Sequence, residues 1–250
     1  MLLEIKNISK EFKTERNLFQ SGPQVQAVQN ISFSIQESEI IALVGESGSG
    51  KSTLGKIIQG LVQPTHGELF FNTTPAHELS RFQRAHQVQT IFQDPFASLN
   101  PKLSVGTLIN EAIQSSKTKT WSCEKLLQAV GLPLHITDHF PHQFSGGQRQ
   151  RIVIARCLAM QPKLIIADEP VSALDVSIQA QILNLILDIN QKYKTAFLLI
   201  THDLSIVQHL ADRVIVIQNG NLMEEGTVEQ IFSNPKNNYT KKLISAIPMF

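Results

Sequence analysis

The chain has 250 residues, of which 42% are hydrophobic and 17% are charged. This composition is typical of a globular protein with a large apolar core, and the length favours one domain with an inserted subdomain. The formal net charge of +1 argues against nucleic acid as the main partner, because proteins that bind nucleic acids usually carry a basic excess. The cysteines Cys123 and Cys157 form no CxxC pair, which favours reduced thiols in a cytoplasmic protein.

Neither the amino-terminal segment nor the apolar runs of the sequence predict insertion into a membrane. Glu4 and Lys6 lie where a signal peptide needs an apolar core, so we expect no export. No run approaches the roughly 20 apolar residues that a membrane-spanning helix requires. We therefore expect membrane association to come through a partner, at the cytoplasmic face of the inner membrane.

The first part of the chain mixes two kinds of predicted strand. Alternating apolar and polar residues over 2–9 and 26–36 predict half-buried antiparallel strands, with a loop insertion over 19–26 between them. The continuously apolar residues 39–45 predict a buried parallel strand. A helix is expected over 52–61, and two further strands within 66–93.

The pattern changes to helical spacing from about residue 104 to residue 158 and then returns to an α/β alternation. This mostly helical block predicts an inserted subdomain over about 94–158, and 213–226 predicts a hairpin that turns at Asn219-Gly220. Between them the pattern predicts strands over 163–168 and 196–201 and helices over 177–193 and 203–211.

A glycine-rich segment, GESGSGKST, follows the buried strand and precedes a predicted helix. It fits the phosphate-binding pattern G-x-x-x-x-G-K-[ST] in the context that the pattern requires. Its glycines allow backbone N–H groups to point at phosphate oxygens, Lys51 would reach the β and γ phosphates, and Ser52 would offer a hydroxyl to Mg²⁺. We call residues 45–53 the glycine loop. The residues expected to contact the nucleotide are Gly45, Glu46, Ser47, Gly48, Ser49, Gly50, Lys51, Ser52 and Thr53.

Two adjacent carboxylates follow another buried strand in KLIIADEP. Asp168 is placed to hold Mg²⁺, and Glu169 is placed to accept a proton from the water that attacks the γ phosphate, or to orient that water. The alternative is that this Asp-Glu pair only caps the next segment before Pro170. The glycine loop upstream favours the catalytic interpretation.

These motifs together resemble the ATPase subunit of ABC transporters over nearly the whole chain. FSGGQ at 144–148 resembles the signature sequence of that superfamily, with Phe144 where leucine is usual; we call these residues the signature segment. The resemblance implies an α/β P-loop NTPase fold. Its parts would be a RecA-like core with an N-terminal antiparallel β subdomain over about 1–93 and 159–235, a helical subdomain over 94–158 and a tail helix over 236–250.

The resemblance also assigns roles to single residues. Gln93 is similar to the glutamine that contacts Mg²⁺ and the attacking water, and His202 to the histidine that contacts the γ phosphate. Asp175, in SALD, resembles the D-loop aspartate at the nucleotide site. Phe12 lies where the family places an aromatic residue that stacks on adenine, although a phenylalanine here is also consistent with a core position.

The family arrangement explains a second anion-binding segment in one chain. Two ATPase domains pack head to tail, and each ATP lies between the glycine loop of one and the signature segment of the other. The resemblance therefore implies that the partner's γ phosphate is contacted by Ser145, Gly146, Gly147 and Gln148. ATP then favours the closed dimer, because it binds both halves only when they meet.

The segments over 14–35 and 89–105 resemble the corresponding segments in ATPase subunits of dipeptide, oligopeptide and nickel importers, in particular the F-type ATPase. That resemblance implies a heterodimer with a sister ATPase, two membrane permeases and an extracytoplasmic solute-binding protein, with permease docking near residues 94–103. In the tail, Asn237 and Asn238 replace a His-Pro pair of that group, while Tyr239 and Thr240 are kept.

The alternatives to an importer ATPase are a DNA- or ribosome-associated ATP switch, another ABC transporter such as an antimicrobial-peptide system, and a subunit that binds ATP without hydrolysing it. Lys51 and Ser145 lie too close in sequence for the long coiled coil of the DNA-associated class.

Overall fold

The structure is a computed structural model that describes residues 1–17, 20–118 and 120–246. The described chain forms two compact units. Unit 1 comprises Met1–Arg84 and Ala196–Phe250, and unit 2 comprises Ala85–Thr195. Among the described residues, we find no helix with the length and apolar character needed to cross a membrane.

The secondary structure alternates between strands and helices along most of the chain. The strands are β1 (Leu3–Asn17), β2 (Gln20–Ile35), β3 (Ile40–Val44), β4 (His66–Phe71), β5 (Thr74–Pro75), β6 (Val88–Ile91), β7 (Leu164–Asp168), β8 (Ala196–Thr201), β9 (Arg213–Gln218) and β10 (Asn221–Thr227). The α-helices are α1 (Lys51–Gln59), α2 (Arg81–Gln87), α3 (Pro95–Ser98), α4 (Val105–Ser115), α5 (Cys123–Ala129), α6 (Gly146–Ala159), α7 (Val176–Tyr193), α8 (Leu204–Leu210), α9 (Val228–Ser233) and α10 (Asn238–Ser245). Short 3₁₀ helices span Leu134–Asp138 and Pro141–Gln143.

An antiparallel sheet in unit 1 has the strand order β2-β1-β4-β5. The predicted loop over 19–26 is wrong for residues 20–26, which belong to β2 and pair with β1 as far as Gln20 opposite Asn17. Phe19 lies outside the described residues. The segment contains glycine and proline, yet it remains a strand because β2 is at the sheet edge, where a residue without an N–H is tolerated, and because bulges interrupt the pairing.

Unit 1 also contains strands in the order β10-β9-β3-β8. β3 pairs in parallel with β8 and β9, and all five of its residues are buried, as its apolar run predicts. β9 and β10 form the predicted hairpin, and Asn219 and Gly220 both have positive φ, 49° and 78°. Tight two-residue hairpin turns require this backbone conformation, which Asn-Gly adopts at low cost.

Unit 2 places the parallel pair β6 and β7 with the helices α3 to α7. Serine side chains begin three of these helices: Ser104, Ser122 and Ser145 each accept a backbone N–H from three residues along. Such caps satisfy donors that the first helical turn leaves unpaired. The apolar faces of α4, α5 and α6 are buried, with Leu108 and Ile152 among the buried residues. Residues 94–158 lie inside unit 2, and their predicted boundaries as a subdomain stay a prediction.

Candidate functional site

The glycine loop in unit 1 connects the carboxyl end of β3 to α1. Its backbone runs so close to neighbouring strands that side chains are excluded at two positions. A Cβ atom added at Gly45 would lie 2.1 Å from the carbonyl oxygen of Ile217, and one at Gly50 would lie 2.3 Å from that of Ala27. Gly50 also has a φ of 105°, which residues with a Cβ rarely adopt. Gly45 and Gly50 are therefore required by the tertiary packing of the loop.

Lys51 folds back into the glycine loop. Its side chain is buried, with 6% of the residue exposed. The ammonium donates to the carbonyl oxygens of Gly45 and Glu46, at 2.7 and 2.8 Å, and to the Ser49 hydroxyl at 3.3 Å. A phosphate that enters the loop can take over these donors, because its oxygens carry more negative charge than a carbonyl or hydroxyl oxygen.

The hairpin turn and β2 support the outer side of the loop. The Gly220 N–H donates to the Ser49 carbonyl at 2.9 Å, while the Gly220 carbonyl accepts the N–H of Gln29 at 2.7 Å. The Gln29 side chain also donates to the Asn219 carbonyl at 3.1 Å. The sequence identifies the Asn-Gly turn, but it gives no signal that this turn holds the glycine loop.

His202 emerges at the same sheet edge of unit 1 as the glycine loop. Thr201 pairs with Val44 across the parallel strands β8 and β3, so the residues that follow these two both lie at the carboxyl ends of the strands. Ligands of open α/β sheets bind at this edge. Asp203 caps α8 by accepting the Ser205 N–H at 2.9 Å, which determines where the chain turns after His202.

Phe12 lies on β1, opposite Val25 of β2. It is 39% exposed, so it is a surface residue and the core interpretation is wrong. The Lys10 ammonium lies 5.1 Å from the centroid of the Phe12 ring. The adenine role of Phe12 stays a prediction.

The carboxylates and Gln93 occupy the corresponding edge of unit 2. Ile91 pairs with Ala167 across the parallel strands β6 and β7, so Gln93 and Asp168 leave the sheet at the carboxyl ends of adjacent strands. Glu169 has a φ of 47°, in the left-handed region that glutamate rarely occupies. Several other described residues share this conformation, so the choice between the catalytic and the capping interpretation of Glu169 stays a prediction.

The signature segment begins α6 in unit 2. Ser145 and Gln148 form a reciprocal capping box: the serine hydroxyl accepts the Gln148 N–H at 3.3 Å, and the Gln148 side chain accepts the Ser145 N–H at 3.0 Å. Phe144 is buried, and its ring centroid lies 6.0 Å from that of His139. The first-turn N–H groups at Gly146 and Gly147 have no acceptor within the helix and are suited to an anion.

The signature segment packs against the start of α7. A Cβ atom added at Gly146 would lie 3.0 Å from Leu174 Cδ2, and one at Gly147 would lie 2.4 Å from Ile178 Cγ2. Asp175 caps α7 by accepting the Ile178 N–H at 3.0 Å. Unit 2 thus brings the signature segment and the SALD residues together, and Asp175 has a structural role beside its predicted one.

The donors predicted for Mg²⁺ are oxygen ligands of the kind that this ion prefers: the Ser52 hydroxyl in unit 1, and the Asp168 carboxylate and the Gln93 amide in unit 2. Among the described residues, no cluster of three or more His, Cys, Asp or Glu side chains suits a metal ion. Mg²⁺ at a nucleotide site is typically held by one or two protein groups together with the phosphates. Each unit therefore carries oxygen donors of the kind that this mode uses, and their joint role in one Mg²⁺ site stays a prediction.

A family model described as "ABC transporter" matches residues 28–172. The chain belongs to the ABC transporter family and is an ATPase that uses ATP with Mg²⁺. The predicted family, fold class, activity and cofactors are confirmed. The roles of the single site residues stay predictions.

Similar proteins include the dipeptide transport ATP-binding protein DppF of Haemophilus influenzae. It is 42% identical over 255 residues, which cover 99% of this chain and 78% of that protein. The oligopeptide transport ATP-binding protein OppF of Bacillus subtilis is 44% identical over 260 residues, covering 99% of this chain and 83% of that protein. A dimeric post-hydrolysis structure of the cassette MJ0796, bound to ADP and Pi, has a TM-score of 0.77 at 28% identity and covers 91% of this chain and 99% of that one.

Proposed function

We propose that this chain is the F-type ATPase of a heterodimeric importer, and that it energises the uptake of dipeptides or oligopeptides across the inner membrane. The observation that carries the proposal is the near-complete coverage of this chain by relatives named for dipeptide and oligopeptide transport. These names favour peptides over nickel as the cargo. The chain would act at the cytoplasmic face, bound to two permeases, with a solute-binding protein on the other side.

The proposed mechanism begins with ATP in the glycine loop. Lys51 leaves the loop carbonyls and binds the β and γ phosphates, while α1 presents its amino-terminal N–H groups. Phe12 stacks on adenine. Ser52, Asp168 and Gln93 would hold Mg²⁺, which would supply neutralisation of the charge on the phosphates and on the leaving group.

Hydrolysis follows when two subunits close on the nucleotide. The Ser145 hydroxyl and the N–H groups of Gly146 and Gly147 contact the γ phosphate held by the sister subunit. Glu169 takes the proton of the attacking water, and His202 donates a hydrogen bond to the γ phosphate. Loss of that phosphate removes the contacts shared by the two subunits, so the dimer opens and the permeases change conformation.

A partly apolar surface over residues 94–103 supports permease docking. Asp94 caps α3 by accepting the Phe96 N–H at 2.8 Å. Phe96 is 64% exposed, and the Arg149 guanidinium stacks on it with its central carbon 3.7 Å from the ring centroid. Arg149 follows the signature segment and donates to the Pro141 carbonyl at 2.6 Å. A displacement of Phe96 by a docked permease would therefore be transmitted through Arg149 to the start of α6, within unit 2.

Transport in proteoliposomes tests the proposal. The chain would be purified with its sister ATPase and both permeases, reconstituted, and supplied with the solute-binding protein and labelled di- and tripeptides. We expect uptake that requires Mg-ATP and that stops when Glu169 is replaced by glutamine. Uptake of nickel in place of peptide would contradict the cargo, and a complex with two copies of this chain and no sister ATPase would contradict the heterodimer.

A further inference from the structure

The carboxyl-terminal helix α10 reaches back to the glycine loop. Tyr239, in the first turn of α10, is 8% exposed. Its hydroxyl oxygen accepts the backbone N–H of Glu46 at 3.1 Å. The two residues lie 193 positions apart in the sequence, and both belong to unit 1.

The N–H of Glu46 belongs to the peptide unit that also contains the Gly45 carbonyl. That carbonyl oxygen accepts the Lys51 ammonium at 2.7 Å. In a trans peptide the C=O and N–H groups point in opposite directions. One peptide unit is therefore held from both sides, by Lys51 within the loop and by Tyr239 outside it.

Strand β10 positions the start of α10. The Glu224 carboxylate accepts the N–H groups of Lys236 and Asn237, at 2.7 and 3.0 Å. The Asn237 side chain donates to the Met223 carbonyl at 3.3 Å and caps α10 by accepting the Tyr239 N–H at 2.8 Å. These contacts hold the start of α10, which carries the tyrosine, against β10.

Burial raises the pKa of Tyr239; the hydrogen bond from the Glu46 N–H acts in the opposite direction, and the charge of Glu46 adds a smaller increase. The phenol is therefore neutral at physiological pH. A neutral hydroxyl accepts an amide N–H without placing a charge on the outer side of the loop. The contact is thus compatible with an anionic ligand on the inner side.

We infer that Tyr239 is a positioning residue for nucleotide binding, because its hydroxyl orients the Gly45–Glu46 peptide and so prearranges Lys51 and the loop for the phosphates of ATP. The inference rests on the proposed role of the glycine loop. A loop that is ordered before binding loses less conformational freedom when the ligand arrives. Removal of the hydroxyl should therefore weaken ATP binding without changing the packing of the ring.

The test compares the full-length chain with its Tyr239→Phe variant. Dissociation constants for Mg-ATP are measured by calorimetry, and thermal unfolding is followed without nucleotide. We expect the variant to bind ATP about three- to tenfold more weakly, the range that one net hydrogen bond supports, and to unfold at nearly the wild-type temperature. Tyr193→Phe removes the hydroxyl of a tyrosine that packs edge-on against Trp121 at 5.3 Å, and it should leave ATP affinity unchanged.

Amide hydrogen exchange of Glu46 supplies a second readout. We expect faster exchange at this amide in Tyr239→Phe and unchanged exchange in Tyr193→Phe. Wild-type affinity for ATP in Tyr239→Phe would overturn the inference, as would an equal loss of affinity in both variants. Failure of the wild-type chain to bind Mg-ATP would contradict the proposed function of the loop itself, so the two failures are distinguishable.

Discussion

Gly147 of the signature segment lies directly against Ile178 of α7: a Cβ atom at Gly147 would come within 2.4 Å of Ile178 Cγ2. The atom that it would meet is a methyl group on a β-branched side chain, which has little freedom to move. A glycine in this segment is therefore needed for packing within the subunit, beside its predicted contact with a phosphate.

The Gly147→Ala variant should lower the free energy of unfolding by about 1–3 kcal/mol, because overpacking forces neighbouring groups to shift. Chemical denaturation measures this change. Gly146→Ala is the matched control and should cost less, since its Cβ atom would meet the end of the Leu174 side chain at 3.0 Å. In the double variant Gly147→Ala/Ile178→Ala we expect part of the lost free energy of unfolding to be regained, because the smaller side chain makes room for the new methyl group. If the losses from the two single substitutions were strictly additive, the steric explanation would be contradicted.

The Glu169→Gln variant should bind ATP normally and hydrolyse it about 10²- to 10⁴-fold more slowly, the contribution typical of a general base. It should also trap a closed dimer with the sister subunit. ATP turnover by the assembled transporter and size-exclusion chromatography with ATP measure the two effects. Glu124→Gln, at an exposed position of α5, is the control. Near-normal turnover in Glu169→Gln would remove this residue from the base role.

The Ser145→Arg variant should leave ATP binding to the isolated chain intact and abolish hydrolysis at the site completed by its signature segment. A long cation there would block the approach of the sister subunit's phosphate. Ser122→Arg removes another serine that caps a helix and should leave hydrolysis unchanged. Loss of ATP binding by the isolated Ser145→Arg chain would show that the segment acts on the chain's own nucleotide.

The two cysteines should differ in reactivity towards thiol reagents. Burial raises the pKa of Cys157 to about 12, although the nearby Arg156 acts in the opposite direction. Burial also raises the pKa of Cys123, which is only partly buried. Because the thiolate is the reactive form, we expect Cys123 to be labelled first in the native chain and Cys157 only on unfolding. Labelling is followed by mass spectrometry. Rapid labelling of Cys157 in the native Cys123→Ser variant would contradict this prediction.

The contribution of Glu224 to stability should depend on pH. Burial alone would raise the pKa of Glu224, but the nearby Thr240 hydroxyl and the N–H groups of Lys236 and Asn237 lower it below the usual 4.5. The stabilisation is therefore fully present above about pH 4.5 and is lost as the pH falls through the lowered value.

We expect Glu224→Gln to lower the free energy of unfolding at pH 7 by about 1 kcal/mol. The difference from wild type should narrow as the pH falls below 4.5, as seen by chemical denaturation across a pH series. Glu229→Gln, on exposed α9, serves as the control. A difference that stays constant down to pH 3 would contradict the assignment to the Glu224 carboxylate.

The motifs could be predicted because each depends on residues that are close in sequence. The glycine loop, the strand that ends in Asp168-Glu169 and the Asn219-Gly220 turn all combine a local backbone requirement with an apolar strand. Strand pairing over 20–26 could not be predicted, because glycine and proline favour a loop unless an antiparallel partner is present. The pairing of this segment with β1 supplies that partner.

The sequence by itself determined the family, the order of the elements and the chemical groups available for phosphate and metal binding, because these follow from residue type and short-range spacing. Only the tertiary structure decided how the glycine loop is held. The N–H of Glu46 meets the Tyr239 hydroxyl, and the carbonyl of Ser49 meets the N–H of Gly220. Both contacts join segments that are far apart in the chain, and they exist because packing of β9, β10 and α10 beside the loop brings single donors and acceptors within hydrogen-bond distance.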